Sequence, residues 1–200
     1  MHDLLSVENL RQWLRQAHTF EPEHSEDVVA LEGLTPAAVL VPLVVRESGI
    51  TLLLTQRTAH LHNHAGQISF PGGRIDPEDS GYVAAALREA EEEVGLVAGQ
   101  IEVIATLPRY GTVTGFIIEP VVGLVTPPLN LKLDDFEVAD VFEVPLGFLM
   151  DEANWRLENV AFGGRTRQYW TMPWRDRYIW GATAGMIVNF KHCLDHGRRR

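Results

Sequence analysis

The chain has 200 residues, 46% of them hydrophobic, enough to bury one sizeable core and too few to call for two domains. A balance of 27 acidic against 17 basic side chains gives a formal net charge of −10, so no long-range field gathers nucleic acid or an anionic membrane surface. Cys193 is the only cysteine, which excludes an intrachain disulfide and suits a reducing compartment.

The first residues lack the basic start and apolar run of a secretory signal, and residues 7–17 carry a helical apolar pattern. Residues 18–36, with "FEPEHSED" and "GLTP", read as a lead-in loop, so the ordered domain is expected to begin near Pro36. Residues 37–45 and 51–56 are β-rich runs separated by "RESG", a hairpin signal with Gly49 in the turn. The first of these is the longest apolar run, and it falls far short of the roughly 20 residues of a membrane helix. A cytoplasmic, soluble protein is therefore expected, with no membrane partner.

Residues 57–80 form a long loop with "PGG" and "DPEDSG", ending where Asp79 or Ser80 is suited to cap a helix. Strands are predicted at 101–107, 116–125 and 138–144, a short helix at 145–150, further strands at 155–160 and 167–172, and a closing amphipathic helix at 180–195. Strands in runs, with one central and one terminal helix, predict an α/β fold in which a mixed sheet packs between helices.

The central helix carries the chemistry. In "ALREAEEEVGL", residues 86–96, a helical advance of roughly 100° per residue sets Glu89, Glu92 and Glu93 within an arc of about 100°, while Glu91 points the other way. Val83, Leu87, Ala90 and Val94 make an apolar stripe next to that acidic edge. Charge runs usually face water. Here the glutamates follow "FPGG", whose glycines let backbone approach a ligand, and three same-face carboxylates suit a hard divalent cation.

The stretch "GGRIDPEDSGYVAAALREAEEEVGL", residues 72–96, resembles the Nudix box, G-x5-E-x7-R-E-U-x-E-E-x-G-U. The second half matches at Arg88, Glu89, Glu92, Glu93, Gly95 and Leu96. The first half has Asp79 in place of the glutamate, with one extra residue before Arg88. Upstream, "LLTQRTAHLHNHAGQISFPGG", residues 53–73, is similar to the signature of the coenzyme A pyrophosphatase branch, L-L-T-x-R-[S/A]-x3-R-x3-G-x3-F-P-G-G, departing from it at Thr58 and at His62, where the pattern has arginine. Residues 37–44, 137–146 and 178–187 also look like segments of that branch.

The resemblance implies a Nudix-type α/β/α sandwich over residues 37–195, preceded by an N-terminal helix and loop (1–36) and followed by a basic, disordered tail (196–200). It implies a metal-dependent pyrophosphohydrolase acting on coenzyme A or its derivatives. Glu89, Glu92 and Glu93 are then the metal ligands, with the Gly73 carbonyl as a further one, for Mg²⁺ or Mn²⁺. Arg88 is expected to brace loop and helix through ion pairs. The general base is left open between Glu92, Glu93 and Glu137, with Glu137 preferred. Arg57 suits a phosphate, Gln67 is a second polar contact, and His62 or His64 is left to supply a weaker, pH-dependent cation in place of the arginine that the branch has at position 62.

His60, His62 and His64 invite a metal reading, but loop histidines more often face solvent, and the acidic set suits magnesium or manganese better than zinc. Asp79 is read as a cap or brace, and Trp180 and Thr183 as packing or substrate contacts. The partners expected are a small coenzyme A-like diphosphate and, since dimers are common in this fold, a second copy of the chain. A Nudix pyrophosphatase of ADP-ribose, dinucleotides or nucleoside triphosphates, and a Nudix-like binding module, are the competing readings.

Overall fold

The computed structural model describes residues 5–15, 17–21, 33–61, 64–162 and 165–199. After a helix α1 (Val7–Leu14), the chain enters β1 (Thr35–Arg46) and β2 (Gly49–Arg57), the predicted hairpin, with Gly49 at φ +121°. Short strands β3 (Ile68–Ser69) and β4 (Gly72–Arg74) lie inside what the sequence presents as loop, ahead of α2 (Tyr82–Val94). β5 (Ile101–Thr106), β6 (Tyr110–Gly111), β7 (Phe116–Val125) and β8 (Val138–Pro145) follow, then the short α3 (Leu146–Leu149). The chain ends with β9 (Arg156–Phe162), β10 (Arg165–Trp174), β11 (Arg177–Trp180) and α4 (Gly181–Arg198).

Among the described residues, eight strands form one mixed sheet in the order β3-β2-β1-β7-β5, with β4 on β1, β6 on β7 and β8 on β2; only β1 and β7 pair in parallel. Both faces are covered, which is why β1 reads as a continuous apolar run. Alternation along it sends Val39, Val41 and Leu43 to a core shared with α1 and α4, and Ala38, Leu40 and Val44 to a second core under α2. This is the expected α/β/α sandwich. No helix among the described residues is long and apolar enough to cross a membrane.

The hairpin is splayed, and this makes the site. β1 and β2 pair directly only from Arg46↔Gly49 to Leu43↔Leu52. Beyond that, β2 pairs with β3 at Thr55 and Gln56, and β1 pairs with β4 at residues 37–39. The chain that leaves β2 is thereby folded back into the opening between the strands, where the "FPGG" turn meets α2. Gly72 has to be glycine: at φ +156°, a β-carbon would come within 2.6 Å of Val39 Cα.

Two boundaries differ from expectation. α1 is part of the packed body, because Leu10 and Leu14 are buried in the core that α4 also lines. The helix also closes earlier than residue 17, at Leu14. The basic tail is not a separate segment, since α4 runs on through Arg198; Gly197 lies against the backbone of Trp13, and His196 and Arg198 sit at the negative end of the helix dipole.

Candidate active site

α2 begins without a side-chain cap. Its N-cap is Gly81, not Asp79 or Ser80. Asp79 instead accepts the Asp76 N–H (2.8 Å) and a two-pronged contact from Arg88, Nε to Oδ1 at 3.1 Å and Nη2 to Oδ2 at 3.0 Å. The same guanidinium donates to the Arg74 carbonyl (3.1 Å), Glu89 (3.0 Å) and Glu92 (2.8 Å). Arg88 therefore ties the 74–79 loop to α2. The pairing holds Asp79 below the usual carboxylate range and raises Arg88 further.

Glu93, one turn on, is buried at 5% exposure. Its carboxylate accepts the Gly72 N–H (3.2 Å) and stands 3.6 Å from Arg57 Nη1. Burial pushes it up to about 8, against the downward pull of the Gly72 amide and Arg57, with Glu89 and Glu137 adding repulsion. Glu89, half-buried, is also raised, chiefly by desolvation. Gly73 packs against it so closely that a β-carbon would meet the Glu89 carboxylate.

Glu137 arrives from the segment between β7 and β8. The Asp134 and Lys132 amides donate to the carbonyls of Glu93 and Val94 (2.9 and 3.0 Å), and Thr58 bonds to the backbone of Phe136 and Glu137 (2.8 and 2.9 Å). This staples the segment to the end of α2 and to the end of β2. Arg57 then bridges Glu93 and Glu137, donating to Glu137 at 3.3 Å.

Arg57, Gln67, Gly73, Glu89, Glu93 and Glu137 line one cavity of about 790 Å³. Glu92 is not on that wall. Its side chain is 59% exposed and turned onto Arg88, so the three glutamates on one helical face do not converge, and among the described residues no three acidic, imidazole or thiol groups already stand in ligating geometry. Arg57, expected to face a phosphate, is engaged by two carboxylates. Gln67 contacts His64 Nδ1 at 2.8 Å. His62 lies outside the described residues, and His60 packs on Phe136 with ring centroids 4.9 Å apart. Thr183 donates to the Ile68 carbonyl (3.0 Å), tying α4 to β3, while Trp180 lines the cavity.

The NUDIX domain profile matches residues 34–160, which include this whole acidic wall. The chain belongs to the Nudix family. It is 39% identical over 186 residues to "Uncharacterized Nudix hydrolase NudL" of Enterobacter sp. strain 638, covering 93% of each chain. The protein of the same name from Citrobacter koseri is 44% identical over 151 residues, 76% of this chain and 78% of that one. Among solved structures, the Mycobacterium smegmatis Nudix hydrolase RenU is similar at 26% identity and a TM-score of 0.49, over 57% of this chain and 73% of its own.

Nudix hydrolases generally use divalent metals such as Mg²⁺ or Mn²⁺, and the donors here fit one. The carboxylates of Glu89, Glu93 and Glu137 offer oxygen, and a cation would relieve their burial and mutual repulsion. Glu89, Glu93 and Glu137 share the cavity, and Glu92 is held outside it by Arg88. Sequence reasoning missed Arg167 and Tyr169, which line the far side of this Nudix cavity from β10. Period-2 alternation in "RTRQYW" groups them on one face, but nothing local says which face meets the site.

Proposed function

We propose that this Nudix hydrolase cleaves the pyrophosphate of coenzyme A or its derivatives, giving 4′-phosphopantetheine, or its acylated or oxidised form, and 3′,5′-ADP. The observation that carries this reading is that the "LLTQR…FPGG" segment folds back through the splayed hairpin onto the carboxylate helix, so that Arg57, Gln67 and Phe70 share one cavity with Glu89 and Glu93. About 790 Å³ lies high in the usual range for ligand pockets, roughly 300–1,000 Å³, and suits a substrate longer than a nucleotide.

Glu89, Glu93 and Glu92, with the Gly73 carbonyl, would hold the metal. When bound, the ion lowers the pKa of water and neutralises charge on the diphosphate oxygens. Arg88 acts on position alone, fixing Glu89 relative to the 74–79 loop. Glu137, in the cavity and outside the Arg88 network, takes the proton of the attacking water as one P–O bond forms and the bridging P–O bond breaks. Arg57 holds that carboxylate on the acidic wall through its 3.3 Å contact and brings a positive charge next to it for a phosphate.

The test is mass spectrometry of coenzyme A and of ADP-ribose, each incubated with the protein and Mg²⁺ or Mn²⁺, with Glu93→Gln as control. Release of 4′-phosphopantetheine and 3′,5′-ADP by the wild type alone supports the reading. Cleavage of ADP-ribose only would leave the hydrolase and discard coenzyme A.

A further inference from the structure

The three-stranded sheet of β9, β10 and β11 has two different faces. Register puts Trp170, Met172 and Ile179 on one, packed into the core, and Glu158, Val160, Arg167, Tyr169, Thr171 and Trp180 on the other. From this second face, Val160, Arg167, Tyr169 and Trp180 line the same cavity as the acidic wall. Trp180 keeps 38% exposure, and Tyr169 meets its ring edge-on with centroids 5.7 Å apart. Beneath them, the Glu158 carboxylate accepts the hydroxyls of Tyr169 (3.2 Å), Tyr178 (3.1 Å) and Thr171 (3.3 Å), which fixes the tyrosine ring.

Cleaving a P–O bond requires none of these groups. A half-exposed indole braced by a second ring offers a flat π surface, and a guanidinium two residues from that ring offers a planar fork for phosphate. The cavity lining also includes Val39, Val113, Phe116 and Ile118, an apolar set better matched to a flexible chain.

We infer that the β9–β11 wall is the nucleoside subsite: Trp180, braced by Tyr169, stacks the adenine ring, and Arg167 pairs with the phosphate on the ribose. The assignment of adenine and of a 3′-phosphate rests on the coenzyme A reading; the stacking platform does not. Stacking of a base on an aromatic side chain is lost about tenfold or more in affinity when the ring is removed.

Calorimetric titration with AMP, adenosine 3′,5′-bisphosphate and ribose 5-phosphate, in Mg²⁺, tests it. The wild type should bind AMP more tightly than ribose 5-phosphate. Trp180→Ala should weaken AMP about tenfold and leave ribose 5-phosphate unchanged, and Trp180→Phe should restore most of the loss. Tyr169→Leu, on a different strand, guards against misfolding at the start of α4 and should weaken AMP in the same direction. Arg167→Gln should weaken the bisphosphate and spare AMP. AMP affinity unchanged in Trp180→Ala and Tyr169→Leu, or no preference of the wild type for AMP over ribose 5-phosphate, overturns the platform. Coenzyme A turnover is read separately: a protein inert to coenzyme A that still shows these losses keeps the platform and loses the substrate, while coenzyme A cleaved with unchanged KM by every variant does the reverse.

Discussion

Gly73 and Glu89 are in contact through the missing side chain of the glycine, since a β-carbon on Gly73 would fall 2.6 Å from Glu89 Cδ. The turn thus sets where the carboxylate stands. Gly73→Ala should push Glu89 off the cavity wall while costing little stability, because the displaced atoms are the end of a side chain. Misplacement of about 1 Å at a reacting centre can cost on the order of a hundredfold, so kcat for the diphosphate substrate should fall by about that factor. Manganese affinity, followed by electron paramagnetic resonance, should fall with it. A variant with wild-type turnover would mean that the position of Glu89 is not used.

Arg88 makes contacts that a lysine cannot copy, because the fork to Asp79 uses two nitrogens and the remaining donors reach Arg74, Glu89 and Glu92. Arg88→Lys keeps the charge and loses the bracing. We expect kcat to drop about a hundredfold with KM nearly unchanged, as for a residue that positions others. A rise in KM alone would instead indicate direct contact with substrate.

The sign of the pH dependence follows from burial. The folded-state pKa of Glu93 is about 8, against about 4.3 for an ordinary glutamate, so between those values the folded chain holds a proton that the unfolded chain has lost. Stability of the metal-free protein should therefore fall as pH rises from about 4.3 to 8, and level off above. Asp79, whose pKa is depressed, acts in the opposite sense, with stability lost only as pH falls below the ordinary carboxylate range. Urea unfolding in a chelator across this window should show the decline, and Glu93→Gln should flatten it. Adding Mn²⁺ near pH 7 should release protons and raise the midpoint, because the ion binds the ionised form. A metal-free protein whose stability rises over that interval would contradict the burial of Glu93.

α2 was legible because its apolar stripe, its acidic edge and its glycine stop are all local. The splay of β1 from β2 was not, since a hairpin signal looks the same whether its strands stay paired or part to admit β3 and β4. Helix arithmetic grouped Glu92 with Glu89 and Glu93, but it carries no information about the Arg88 side chain four residues earlier that holds Glu92 outside. Arg57 was recognisable as a planar cation, yet its partners Glu93 and Glu137 lie 36 and 80 residues away, and only the fold decides between carboxylate and phosphate. The wall of β9–β11 was equally silent, because alternation groups residues on a face without saying what the face meets.

The N-terminal helix is the last case. Its polar lead-in loop resembles a linker, which hid that α1 packs against α4, a partner far along the chain. Leu10 is fully buried, Leu14 nearly so, and both belong to the core that backs the sheet. Arg11 adds a two-pronged ion pair to Glu102 on β5, but that pair is half-exposed and contributes little. The leucines should therefore dominate. Leu10→Ala should destabilise the whole domain by about 2–5 kcal/mol, with a single cooperative transition in urea, whereas Arg11→Ala should barely move the midpoint. If α1 were an appendage, Leu10→Ala would leave the main unfolding midpoint where it is.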